Sequence, residues 1–182
     1  MIRCTMPAMP AMLLMLAGCG GGEDKAAPEE QTETISQLDA MPSAPVDDPV
    51  EKDVADYRPD PALAPPPAPE PGVGSGDKAI PAAIQGRWAI DASDCPKRPG
   101  TDLTALVIDA ANLRFHESHG ELARVRERGA NRIVADYKFS GEGMDWDRLM
   151  VLSVVGDGKT LVRRDYGDGA APDAMRYTRC AG

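Results

Sequence analysis

Ile84-Gln85-Gly86-Arg87-Trp88-Ala89-Ile90 alternates apolar and polar side chains, the period-two pattern of a half-buried strand. The same alternation, or an enrichment in β-branched and aromatic residues, returns at Leu103–Asp109, Leu113–His116, Gly120–Arg128, Arg132–Phe139, Trp146–Val155, Thr160–Tyr166 and Met175–Cys180. Turn formers stand between these runs: Ala111-Asn112, His119-Gly120, Gly129-Ala130-Asn131 and Gly156-Asp157-Gly158. About eight short strands in roughly 100 residues point to an antiparallel barrel or sandwich. The expected fold class is therefore all-β, with a small domain over residues 79–182. Gly120–Arg128 is the ambiguous run, because its Glu, Leu, Ala and Arg also suit a short helix.

Gly86-x-Trp88 on the first expected strand and Arg179 on the last resemble the calycin superfamily, which comprises lipocalins, avidins and small barrel inhibitors of bacterial metalloproteases. The resemblance implies a calycin-like barrel of about eight strands in which the Trp88 indole packs at the closed end. Arg179 would cover it by a cation–π stack and hydrogen bonds, an interaction reasonable in itself. Gly86, Trp88 and Arg179 are then barrel-closing residues rather than a site. The cysteines do not follow the lipocalin arrangement, so ligand binding does not carry over. The segments GRWAIDASDC, LRFHES, SGEGMDW and RYTRC are also similar to a set of uncharacterised proteobacterial lipoproteins.

The first nineteen residues read MIRCTMPAMPAMLLMLAGC. Arg3 supplies a positive start, and Met9–Ala17 is apolar but far short of the roughly 20 residues that span a bilayer. This is the pattern of a secretory signal, residues 1–18. Leu16-Ala17-Gly18-Cys19 resembles the lipobox of bacterial lipoproteins. The resemblance implies cleavage before Cys19, diacylglycerol on its thiol and a further acyl chain such as palmitate on the new amino group. Two or more chains anchor stably where one does not. Gly20, where enteric inner-membrane lipoproteins carry Asp, favours the outer membrane, with the domain in the periplasm. The competing reading is ordinary signal cleavage beside a chance cysteine.

Residues 19–78 read as the lipidated cysteine and a disordered, Pro- and acid-rich tether. Gly20–Lys78 holds eleven of the seventeen prolines, fourteen Asp/Glu and four Lys/Arg, a net charge of 4 − 14 = −10. Ala79–Gly182 carries fifteen of each sign, and a neutral domain behind an acidic tether argues against nucleic acid as partner. Of four cysteines, Cys4 leaves with the signal and Cys19 takes lipid. Cys95 and Cys180 remain in an oxidising compartment and are expected to form a disulfide. Closing that loop stabilises by about 4–5 kcal/mol on the chain-entropy argument.

The candidate chemistry is sparse. His116 and His119 would diverge along a strand running into a turn, which leaves no metal site in the sequence. Glu142, Asp145 and Asp147 surround Trp146 in a Gly-rich loop without the spacing of a calcium-binding loop. These four form the candidate partner-binding loop, since an aromatic beside acids suits an interface hot spot, although Trp146 suits the core equally. Arg124-x-Arg126-x-Arg128 and Arg163-Arg164 read as solvated strand faces, and Asp165–Gly169 as a turn. No nucleophile elbow, P-loop or dinucleotide fingerprint is present, and no cofactor is implied. The expectation is a non-enzymatic, membrane-anchored envelope lipoprotein. Its barrel would bind a protein partner or a small apolar ligand, in the manner of an inhibitor. The alternative is a structural or assembly lipoprotein docking to an envelope complex.

Overall fold

The computed structural model describes residues 48–96 and 105–181. The expected signal, the lipidated Cys19 and the first part of the expected tether lie outside those residues. Eight antiparallel strands close on themselves in sequence order: β1 (Gly86–Ala89), β2 (Leu106–Ile108), β3 (Asn112–Arg114), β4 (Ser118–Arg128), β5 (Arg132–Gly141), β6 (Met144–Val155), β7 (Thr160–Tyr166) and β8 (Met175–Arg179). The seam between β1 and β8 is short, pairing Trp88 with Arg179 and Ala89 with Thr178. Closure gives every strand a neighbour on each side over part of its length, though Met144–Arg148 of β6 extends beyond its pairing with β7.

Alternation along the strands sorts side chains into two layers. Ile133, Ala135, Tyr137 and Phe139 of β5 and Met150, Leu152 and Val154 of β6 join Trp88 in one internal core. The opposite faces of β5, β6 and β7 place Val134, Val151, Val155 and Val162 on the outside of the barrel. Gly120–Arg128 is strand, not helix. Register shifts at Leu122/Arg124 and Val125/Glu127 interrupt its alternation, and its helix-favouring composition is overridden by pairing with β5. His119-Gly120 is likewise not a turn. Gly120 lies inside β4 under the Phe139 ring, where a Cβ would come within 2.7 Å of Cζ.

The closed end is locked by one guanidinium. The Arg179 Cζ stands 4.0 Å above the Trp88 ring centroid. Its Nε donates to the Gly158 carbonyl at 2.7 Å and its Nη1 to that of Gln85 at 3.0 Å, while Nη2 donates to that of Ala83. The fully buried Trp88 donates its indole N–H to the Ile84 carbonyl at 2.8 Å. Gly86 is required twice over: its φ is +127°, and a Cβ would meet Arg179 Nη1 at 3.0 Å. Burial lowers the Arg179 pKa, as desolvation must.

Cys95 and Cys180 are joined, with Cα atoms 5.2 Å apart, as expected. The bond draws the connection after β1 back over Ala89 and Ala105 on the outer face.

Residues 48–78, expected to be tether, are part of the folded body. Asp48 caps α1 (Pro49–Asp56) by accepting from Val50 N–H at 3.0 Å, and Pro49 opens the helix. Eight residues are too few for a stable isolated helix, so packing must hold it. Val50, Val54 and Tyr57, spaced i, i+4 and i+7, meet the external valine patch. The Tyr166 hydroxyl donates to the Val54 and Tyr57 carbonyls, and Glu51 pairs with Arg176.

Beyond α1 a proline-rich strap runs along β4. The three arginines expected on a solvated face grip it instead. Arg124 donates to the Ala64 carbonyl and the Glu70 carboxylate, Arg126 to the Leu63 carbonyl, and Arg128 to the Ala79 carbonyl. Glu70 N–H bonds the Ala123 carbonyl at 2.8 Å. Both Arg124 and Arg126 also lie within ion-pair distance of the buried Asp136. Spaced two apart, Arg124 and Arg126 fall on one face of β4 and meet that carboxylate together.

Truncation of the lock should be costly. Trp88→Ala is expected to lose about 3–5 kcal/mol, and Arg179→Ala about 2–4 kcal/mol through lost charged hydrogen bonds. Urea denaturation reads both, and an unchanged midpoint for either would remove that residue from the closure.

Candidate binding face at the open end of the barrel

The end opposite Trp88 is framed by the β3–β4 turn, the β5–β6 hairpin and the Gly167–Ala174 connection between β7 and β8. The hairpin turn is two residues, Glu142 (φ +50°) and Gly143 (φ +77°), the left-handed pair that matches strand twist. The expected Gly-rich loop is therefore mostly strand. Gly141 ends β5, and Met144, Asp145, Trp146 and Asp147 begin β6.

This geometry sets Glu142 apart at the turn, while Asp145, Trp146 and Asp147 border one depression of about 550 Å³ with Lys138 and Ser140. Glu142 is exposed at the tip. Asp145 lies opposite Ser140, and Asp147 lies opposite Lys138, whose ammonium it binds at 2.6 Å. Trp146 belongs to the other face, where it stacks on Phe139 with centroids 5.3 Å apart and planes 17° from parallel. It packs against the core and is partly exposed. Met144, 61% exposed, projects beside the turn. Apart from the Lys138–Asp147 pair, no ion pair among the described residues involves these acids.

Inside the mouth the aromatic column continues to Phe115, 5.9 Å from Phe139. Arg163 lies over Phe115 at 4.6 Å, binds both oxygens of Asp165 at 2.8 and 2.5 Å, and donates to the Tyr177 hydroxyl at 3.2 Å. Burial pushes the Arg163 pKa down, but the Asp165 hydrogen bond and charge, with Tyr177, outweigh it and leave it raised. Deeper still, the Tyr137 hydroxyl is buried without a hydrogen-bond partner, and burial pushes its pKa up. Phe115, Phe139, Arg163 and Asp165 floor a cup of about 340 Å³, rimmed by Ser118, Trp146, Arg148 and Ala171. The lumen below it is occupied by core side chains.

Arg163 and Asp165 were not expected here, having been read as solvated face and turn. The signal was present: Leu161-x-Arg163-x-Asp165 places both on the face of a core leucine. Charge type masked it, because charged residues are seldom buried unless paired. His116 contacts Glu117 at 3.4 Å, while His119 stands opposite Ser140 on the outer wall. Among the described residues no group of three or more His, Cys, Asp or Glu is placed to hold a metal ion.

Together these features define a closed, eight-stranded antiparallel barrel with a plugged lumen and a shallow mouth lined by aromatics and one buried ion pair. No family model, curated protein or solved structure matches the chain.

The buried pair gives a sharp expectation. Arg163→Met should destabilise by about 3–5 kcal/mol because it strands the Asp165 carboxylate, whereas Arg163→Met with Asp165→Leu should recover most of that loss. Equal losses in the single and double variants, read by thermal or urea unfolding, would contradict this account.

Proposed function

We propose that the protein is a cell-envelope lipoprotein, anchored through Cys19 in the outer membrane, whose barrel is a non-catalytic module that docks on a protein partner with its open end. The plugged lumen carries this reading. Core side chains fill the barrel, so the mouth has room for a protruding side chain but not for a ligand swallowed whole. The hairpin presents Met144 and Trp146 beyond that mouth, and aromatic and methionine anchors are enriched at interfaces. The Gly86-x-Trp88/Arg179 closure supports the calycin-like comparison, and with it an inhibitor-like use of the mouth. A small apolar ligand of the barrel itself would be confined to the cup of about 340 Å³, near the lower limit of ligand pockets.

Two measurements test the proposal. Intact-mass analysis of the membrane-derived protein should show an acylated chain starting at Cys19, and Cys19→Ser should move it to the soluble fraction. A photo-crosslinker at Met144 should capture an envelope protein that the same group at Asp157, in the closed-end turn, does not. Trp146→Ala should cut that capture at least tenfold, the equivalent of about 1.4 kcal/mol. Equal capture from both ends would overturn the assignment of the mouth.

A further inference from the structure

A second cavity, of about 250 Å³, lies outside the barrel, between the strap and the wall formed by β4, β5, β6 and the end of β7. The strap contributes Pro59, Pro61, Leu63 and Pro65; the barrel contributes Leu149 and the Tyr166 side. We propose that this crevice is a binding site for a small, compact carboxylic acid with an apolar body, held by Arg148. It shares Arg148 with the rim of the mouth, but its other walls, the strap and Leu149, do not line the mouth, and the inference does not depend on the partner surface proposed there.

The walls cannot easily collapse into the space. Proline fixes its own backbone φ, and alternate prolines stiffen the strap. The strap is pinned on both sides: at α1 by the Tyr166 hydroxyl, and at β4 by Arg124 and Arg126. A cavity held open in this way is largely preformed, the usual condition of a small-molecule site.

Charge selects the ligand. Of the acids lining the crevice, Asp136 is bound by Arg126 at 2.9 and 3.0 Å and Asp147 by Lys138 at 2.6 Å, so both are already neutralised. Asp60 is exposed and accepts from the Ala62 N–H at 2.8 Å. On the cationic side, Arg148 is half-buried, donates to the Asp168 carbonyl at 2.8 Å, and among the described residues has no carboxylate partner. Arg126, whose side chain is only 9% exposed, also lines the crevice and keeps one nitrogen, Nη1, buried without a partner. The crevice thus holds one guanidinium without a carboxylate partner among the described residues, that of Arg148, beside apolar walls, with the exposed Asp60 at its border. A carboxylate matches the fork geometry of arginine, and an apolar ring or short branched chain matches the prolines and Leu149.

The test uses the full chain in lipid vesicles and benzoate as the probe, with benzamide as its uncharged counterpart, followed by saturation-transfer NMR. Benzoate should bind with a Kd of about 1 mM or tighter, and benzamide at least tenfold more weakly. Leu63→Glu changes an exposed strap residue that does not line the mouth. It should weaken benzoate binding at least tenfold, as should Arg148→Gln. Phe115→Leu, confined to the mouth, should leave it unchanged. No saturation transfer to benzoate at about ten times that concentration, equal binding of benzamide, or binding indifferent to Leu63→Glu would each overturn the proposal. Benzoate binding lost in Phe115→Leu alone would place the acid in the mouth and equally overturn it. Partner capture from Met144 should persist in Leu63→Glu, so the two readings can fail separately.

Discussion

The Arg179 guanidinium carries the barrel's closure. The direct seam between β1 and β8 is only two residue pairs long, too little to hold a sheet shut against strand twist and chain entropy. Arg179 adds contacts that the seam lacks: it reaches forward to carbonyls just before β1 and across to the turn between β6 and β7, with the Trp88 ring beneath it. Three separated parts of the chain thereby share one planar donor group. The missing side chain at Gly86 follows directly, since the guanidinium needs the space. The Cys95–Cys180 bond reinforces the same region from outside, on the face opposite the indole.

With that end shut, the remaining architecture divides cleanly. Apolar side chains fill the interior up to the Phe139–Trp146 stack, and the first charges appear only at the level of Arg163 and Asp165. Outside, the valine patch would be a liability on an isolated barrel, because contiguous exposed apolar surface invites association. α1 covers it, and the strap then follows β4, whose arginines hold successive backbone carbonyls. The outer covering is thus fixed by polar contacts at one border and apolar packing at the other.

The strands were legible because period-two alternation survives wherever one face is buried and the other wet. In β5 and β6 the alternation gives way to continuous apolar runs where the outer valines are also covered, but β-branched enrichment still marks them, and their ends fall near the turns at 129–131 and 156–158. β4 was ambiguous because its Glu, Leu, Ala and Arg also suit a helix, and two bulges break its period, leaving Leu122 and Ala123 adjacent and both buried. Residue type misled at Gly120, where glycine yields space to an aromatic ring rather than making a turn. The closing trio of Gly86, Trp88 and Arg179 could be read because it depends on rare residues at the two ends of the domain. The strap could not be read from composition, because its hold on the barrel comes from backbone carbonyls, which every sequence possesses. Only the spacing of Val50, Val54 and Tyr57 hinted that the chain before residue 79 has a face to bury.

Under the proposed anchoring at Cys19, the docked strap would also set how far the barrel can reach. Of the 59 residues between Cys19 and Ala79, 31 (residues 48–78) lie along the barrel and 28 (residues 20–47) precede them. At about 3.5 Å per fully extended residue, a lipid on Cys19, as proposed, would hold the barrel within about 100 Å with the strap docked and within about 200 Å with it released. Peeling α1 and the strap away would roughly double the radius over which the barrel could forage, at the expense of baring its valine flank.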